Sequence, residues 1–279
     1  MNARQIDHVV LSVPDLDEGA SALEKAGFTL TPRAFHEDAM GTSNRLAQFE
    51  GMNFIELLEV DRPRALARHD LDATPPVFSF GDHNRRFLSK REGLAMLVFA
   101  GHDSRGDVED FHATGIDTYA PFDFERQATL PDGSQVTVEF SLAFATSRHM
   151  PNLAFFTCHN RSPEHFWKPN FQRHANGARG ITRVYVVADE PALHGDFFQR
   201  LVRGELTSSA DGISIACANQ QTIWVLSPEQ MSRQVGDRRF DLSDGPVLAG
   251  LQITSDRPPS ANPQDMCGMF IEWATPSAD

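Results

Sequence analysis

A strand-like run that ends in an acidic turn and a helix opens this chain, and it returns further along with its polar residues changed. The first copy reads Ile6-Asp7-His8-Val9-Val10-Leu11-Ser12-Val13, then Pro14-Asp15-Leu16. The later copy reads Ile181-Thr182-Arg183-Val184-Tyr185-Val186-Val187-Ala188, again followed by an acidic residue and a helical pattern. The apolar framework is kept, but Arg183 stands where His8 stood. A scaffold that repeats while its polar residue changes predicts one chemical site and one structural copy.

Local patterns define the repeating unit. Side chains alternate along a strand, so His8, Val10 and Ser12 share one face and Asp7, Val9 and Leu11 the other. Pro14 ends the strand. Asp15 is the expected N-cap of a helix whose first turn carries Asp17 and Glu18. Leu16, Ala20 and Leu23 form its apolar stripe, and Gly27 stops it. Residues 28–36, 45–49 and 52–60 read as three further strands, with Phe54, Glu56 and Leu58 on one face of the last. The unit is strand–helix–strand–strand–strand.

Residues 62–91 are polar, contain Thr74-Pro75-Pro76, and read as a long connection with one or two short helices. A second unit starts at Leu94-Ala95-Met96-Leu97-Val98-Phe99. Asp103 caps its helix, Val108 and Phe111 point inward, and Gly115 ends it. Thr129-Leu130-Pro131-Asp132-Gly133-Ser134 reads as a turn between strands, and strands follow at 135–144 and 153–158. Residues 162–180, rich in Pro, Asn, Gly and His, mark the domain boundary. A third unit begins at Ile181, with Leu193, Phe197, Phe198 and Leu201 on its helix and short strands at 214–217 and 222–226. Strands at 247–253 and 269–273 make a fourth unit without its middle. Residues 1–165 are expected to form one pair of units and 175–279 a second, trimmed pair.

The bulk properties narrow the function. A chain of 279 residues has mass for two domains and a sizeable core. It carries 25 basic against 38 acidic residues, the wrong balance for a nucleic-acid footprint. The basic run Asn84-Arg85-Arg86-Phe87-Leu88-Ser89-Lys90-Arg91 reads as a solvated helix face. Cys158, Cys217 and Cys267 are odd in number and widely spaced, which argues against a disulfide framework and fits a reducing compartment. There is no signal-peptide core and no apolar stretch long enough to span a membrane. The expectation is a cytoplasmic protein with a small-molecule partner and no nucleic acid or membrane.

The opening "IDHVVLSVPDLDEGASALEKAGF", the strand "NFIELLEV" and the repeated units together resemble the vicinal oxygen chelate superfamily, and within it the glyoxalase-like proteins. The resemblance implies an α+β fold of paired βαβββ modules, in the manner of glyoxalase, bleomycin resistance protein and dihydroxybiphenyl dioxygenase. Two modules close into a cup whose inner face binds a divalent metal. The family's ligands lie on the first and last strand of each module. Carried over, they are His8 and Glu56 from module one. Module two offers Met96, which is no ligand for a hard divalent ion, and His159 on its last strand, expected to share a face with Phe155 and Thr157. In the second pair the matching positions hold Arg183, Trp224 or Val225, Gln252 and Glu272, which make no metal site.

His8, Glu56 and His159 would suit Zn, Mn or Fe with positions open for substrate oxygens. The resemblance then implies a metal-assisted lyase or isomerase acting on a small oxygenated molecule, with Glu56 also available as a base. One alternative is an extradiol-type Fe(II) dioxygenase on the same triad. Another is a metal-free protein that sequesters a ligand in the cup, which Met96 favours. The bland readings stand beside these: a strand histidine hydrogen-bonded in a core, and a solvated His159. Arg148 could bind an anionic substrate or lie on a solvated turn. Arg183 could clamp a carboxylate or form a buried ion pair. His165, Trp167, Phe171 and His174 could lid the cup or pack between domains. The second pair is expected to be structural or to form an interface, as in a homodimer.

Overall fold

The computed structural model of the protein describes residues 2–129 and 135–276. The turn expected at 130–134 lies outside the described residues. The first module runs β1 (Ile6–Ser12), α1 (Leu16–Lys25), β2 (Ala34–Phe35), β3 (Ser43–Gln48) and β4 (Phe54–Glu59). After α2 (Phe80–Leu88) comes the second: β5 (Gly93–Ala100), α3 (Ser104–Ala113), β6 (Asp117–Thr118), β7 (Phe122–Thr129), β8 (Gln135–Thr146) and β9 (Ala154–Asn160). A short α4 (Pro163–Phe166) leads to the third: β10 (Ala178–Val187), α5 (Ala192–Val202), β11 (Leu206–Ser209), β12 (Gly212–Ala216) and β13 (Thr222–Leu226). Then come α6 (Pro228–Val235) and a helix-free fourth: β14 (Val247–Ser255), β15 (Gln264–Met266) and β16 (Met269–Ala274).

The two halves are built alike. In the first, β1 runs parallel to β4 and antiparallel to β5, and β5 runs parallel to β9. In the second, β10 runs parallel to β13 and antiparallel to β14, and β14 runs parallel to β16. Leu248 on β14 pairs with Leu94 on β5 and joins the halves. This is the paired-module α+β architecture expected from the sequence. The exception lies in residues 28–36, where only Ala34–Phe35 form a strand, paired with Ser43 and Asn44.

Strand alternation sorts the side chains. Val9, Leu11, Ile55, Leu57, Leu97 and Phe155 enter one core with Val184, Val186, Phe197, Phe198, Leu251 and Ile253 of the second half. The opposite face of the first half gathers Val10, Phe54, Leu58, Met96, Val98, Phe140 and Phe156 into the cup. The second cup is packed by its own Tyr185, Val187, Leu226 and Phe270, with Met231 and Val235 from α6. Each fully buried side chain of this size contributes about 1.5–3 kcal/mol. Asp15 and Asp103 cap α1 and α3 as their positions predict, accepting from Asp17 and Glu18 N–H and from Arg105 N–H.

The long connection proves to be a plug. Ser79 caps α2 by accepting from the Asp82 N–H at 3.1 Å. Phe78, Phe80 and Phe87 then pack into the first cup. Ser12 Oγ donates to Asn84 Oδ1 at 2.5 Å, and Asn84 Nδ2 lies 3.9 Å from Met96 Sδ. Met96 is therefore covered by α2 and fully buried. The basic run is a solvated face in part, with Arg86 and Lys90 exposed, and it also holds buried Asp82 between Arg85, Arg86 and the incoming Arg68, each within 2.9 Å.

Two outcomes follow for α2. A Cβ on Gly81 would sit 2.0 Å from the Met40 carbonyl oxygen. Gly81→Ala should therefore cost about 1–3 kcal/mol in urea unfolding, through overpacking. His83 is buried, and desolvation pushes its pKa down from 6.5 to about 4. The unfolded chain binds this proton more readily, so stability should fall as pH drops from about 6.5 toward 4, by about 3 kcal/mol in all. His83→Gln should flatten that decline, as read from urea midpoints across the same range.

Candidate functional site

His8 and Glu56 project from neighbouring parallel strands onto the cup face. Val10 pairs with Glu56 and His8 with Phe54, so the two polar residues are diagonal neighbours. Both are nearly inaccessible, 4% and 5% exposed, which makes every lone pair consequential. His8 Nδ1 lies 2.5 Å from Asp7 Oδ1, and its Nε2 lies 3.6 Å from Glu56 Oε2. The Asp7 carboxylate accepts, so the imidazole carries its hydrogen on Nδ1 and aims Nε2 at Glu56. The ring is sandwiched by Phe54, stacked at 4.3 Å, and met edge-on by Phe156 at 5.6 Å.

The other carboxylate oxygen has its own attendants. Asn44 Nδ2 donates to Glu56 Oε1 at 2.6 Å and sits 3.2 Å from His36 Nε2. His36 Nε2 is itself 3.6 Å from Glu56 Oε1, and His36 Nδ1 is 2.8 Å from Thr42 Oγ1. An amide nitrogen has two hydrogens, so Asn44 serves the carboxylate with one and the imidazole with the other. His36 Nε2 then accepts, and Nδ1 donates to Thr42. Two imidazoles, each fixed through Nδ1, thus flank one carboxylate.

His36 was legible only as the end of a predicted strand. Its side chain reaches the site because the chain turns back at residues 36–42, where the His36 N–H donates to the Thr42 carbonyl at 3.0 Å. An isolated histidine ahead of a polar turn carries no spacing signal that would have singled it out.

These groups border a cavity of about 50 Å³ whose remaining wall is largely apolar, including Phe54, Phe80, Phe124, Phe140 and Phe156. Phe166 closes one side, with Trp167 edge-on to it and to Phe54. Gln48, fully buried, anchors this segment. It donates to the Phe166 carbonyl at 2.9 Å and accepts from the Lys168 N–H at 3.2 Å. So the linker both lids the cup and packs between halves. His174 ties the linker to the first half, its Nδ1 accepting from the Thr29 N–H and its Nε2 donating to the Gln48 carbonyl, while Asn176 joins the halves by donating to the Ala26 carbonyl and accepting from Ser255 Oγ. His165 lies a third exposed, beside Glu164.

The remaining expected residues lie elsewhere. His159 does not reach the cup: on β9 it is Phe156 and Cys158 that border the cavity. Phe155 belongs to the shared core, and His159 lies on that side, near His102. Burial, with Arg161 and His102 nearby, lowers the His159 pKa. The parity of β9 had placed His159 correctly with Phe155, but that face is turned away from the site. Arg148 is exposed on a separate cavity beside α2. Arg183 lies in the second half, 3.8 Å over the Trp224 ring, donating to Tyr185 Oη at 3.0 Å and to Thr222 Oγ1 at 3.3 Å. Tyr185 donates to Glu272, which also accepts from Gln252 at 2.8 Å. The positions matching the family's ligands are therefore together in the second cup, as an Arg–Tyr–Glu–Gln network without a cavity among those described.

The implied divalent metal would need donors from both modules. All the imidazole and carboxylate donors come from module one, on different oxygens of Glu56. Module two presents Phe156, the Cys158 thiol and, beneath α2, the Met96 thioether. Burial pushes the Cys158 pKa well up, with Asp7 and Glu56 adding to it. Among the described residues no group of three or more His, Cys, Asp or Glu side chains is arranged to hold a metal ion. The residues do not form the metal centre the resemblance implies.

The fold and the cup define a vicinal oxygen chelate protein. A family model described as the glyoxalase-like domain matches residues 6–202, and the chain belongs to that family. No curated protein matches it in sequence. Its fold is similar to a hypothetical protein from Staphylococcus aureus, with a TM-score of 0.73 at 12% identity, covering 98% of this chain and 99% of that one. It is also similar to a triple mutant of 4-hydroxymandelate synthase from Streptomyces coelicolor, with a TM-score of 0.53 at 15% identity, covering 92% of this chain and 72% of that one. No helix among the described residues is long and apolar enough to cross a membrane.

Removing the lid should expose the cavity's thiol. Phe166→Ala is expected to speed iodoacetamide labelling of Cys158 by at least about tenfold while leaving Cys217 and Cys267 unchanged, as read by peptide mass spectrometry.

Proposed function

We propose that the chain is a lyase or isomerase that moves a proton on a small oxygenated organic molecule with an apolar body. The observation that carries this reading is Glu56, enclosed with His8 and His36 in an aromatic cavity and addressed by each on a different oxygen. Glu56 is the base, taking a proton alpha to a carbonyl. His8, in its doubly protonated form with Nδ1–H held by Asp7, gives its Nε2 hydrogen to the carbonyl oxygen as the enol forms and takes it back when the carbonyl re-forms. Return of a proton from Glu56 to a different carbon completes an isomerisation, and expulsion of a neighbouring group completes an elimination. Asn44 holds the carboxylate in place through both steps. Phe166 and the surrounding rings exclude water, which strengthens each of these contacts.

The metal-assisted and iron-dioxygenase forms of the reading lack a closed ligand set among the described residues. Sequestration of a ligand without chemistry is the second reading, favoured by the closed aromatic wall. We place the protein in the cytoplasm, a reading supported by its three free cysteines, two of them buried.

The test is carbon-bound hydrogen exchange in D₂O, followed by proton NMR, over a panel of small 2-oxo acids, hydroxyketones and aldehydes. The wild type should exchange at least one class. Glu56→Gln should lose at least about a hundredfold in rate, and Asp7→Asn should lose less. Unchanged exchange in Glu56→Gln would remove Glu56 as the base. Saturable binding with no exchange would leave sequestration. Elemental analysis of metal-reloaded protein runs alongside: near-stoichiometric metal lost in His8→Ala/Glu56→Ala would restore the metal-assisted reading.

A further inference from the structure

A second, larger cavity of about 520 Å³ lies beside α2, against the ends of β8 and β9. That volume falls in the range of small-molecule sites. Its floor is apolar and aromatic, with Phe78, Phe87 and Tyr119. It is separate from the His8–Glu56 cavity: Phe78 stacks on Phe144 at 4.5 Å, and Phe144 packs on Phe156 at 5.1 Å, so these rings form a wall between them.

The charge of this cavity runs against the chain. The protein carries a net charge of -13. Yet three guanidiniums, from Arg68, Arg85 and Arg86, gather on the single buried carboxylate of Asp82, leaving a local positive excess, and Arg86 borders the cavity. Lys90 is matched by Asp244 at 2.9 Å. Arg148 also borders the cavity, is exposed, and has neither ion pair nor hydrogen bond among the described residues. Asp117 is the sole acidic residue among the described residues of the wall. His83, 8% exposed, lines the same space. Its Nε2 faces the Ala95 carbonyl at 3.4 Å, while its Nδ1 has no hydrogen-bond partner among the described residues. Its Nδ1 is therefore an acceptor that a ligand in the cavity can meet.

We infer that this cavity is a second small-molecule site and that it takes an organic anion with an aromatic body. The carboxylate sits between Arg148 and Arg86, and the ring lies over Phe78, Phe87 and Tyr119. Arg148 supplies the bidentate fork that a carboxylate fits. His83 Nδ1 accepts from a hydroxyl on the ring where there is one. The inference stands independently of the chemistry proposed for Glu56.

Isothermal titration at low ionic strength with benzoate, benzamide and inorganic phosphate tests it on the full chain. Benzoate should bind saturably with one site. Benzamide, which lacks the charge, and phosphate, which lacks the ring, should each bind at least about tenfold more weakly. Arg148→Ala, an exposed and unpaired position, should weaken benzoate by at least about tenfold. Glu56→Gln should leave benzoate affinity unchanged, which keeps this site distinct from the first cup. The inference is overturned if benzoate shows no saturable binding, if benzamide or phosphate matches it, if Arg148→Ala binds as wild type, or if Glu56→Gln abolishes binding.

Discussion

The two-residue alternation of β1 against its parallel neighbour β4 is the constraint on which the rest depends. Odd-numbered side chains such as Val9, Leu11, Ile55 and Leu57 are committed to the core shared by both halves. Even-numbered ones, His8, Val10, Phe54, Glu56 and Leu58, then have one destination, the cup. A slip of one residue would bury His8 and Glu56 in the common core and turn the apolar set into the cup. The same parity that assembles the molecule therefore delivers its polar pair to a closed, largely apolar space.

The two halves use that scaffold in opposite ways. In the second, Arg183, Tyr185, Gln252 and Glu272 satisfy one another, and α6 fills the remaining room. In the first, α2 fills the floor of the cup, with Phe80 edge-on to His36, and leaves a small cavity at His8, His36 and Glu56. The cavity that remains is small because three phenylalanines from and beside α2 occupy the rest. A buried network that is fully satisfied specifies structure, whereas one that keeps lone pairs facing a cavity is available for chemistry.

Much of this could be read from residues alone. The repeated opening strand, the Asp15 and Asp103 caps and the alternation of 54–58 were sufficient for the module architecture and for His8 and Glu56. The failures have physical causes. His36 reaches the site through a turn rather than a strand period. His159 was placed on the correct strand with the correct companions, yet which face of β9 looks into the cup depends on its pairing with β5 and β8, which single-strand patterning does not encode. The role of α2 was hidden because its apolar residues are interrupted by charges that prove to enclose Asp82. Arg148, read either as an anion contact or as part of a solvated turn, is exposed and borders a different cavity, a placement that the local turn pattern does not encode.

Gln48 grips the 166–168 segment entirely through backbone atoms, the Phe166 carbonyl and the Lys168 amide. This part of the lid's attachment does not depend on which side chains the lid carries. Phe166 and Trp167 add ring contacts to Phe54 and Phe140 on top of this backbone hold. The wall of the cavity that faces Phe54 is thus carried by a segment whose backbone is fixed from β3, separately from the strands that hold His8 and Glu56.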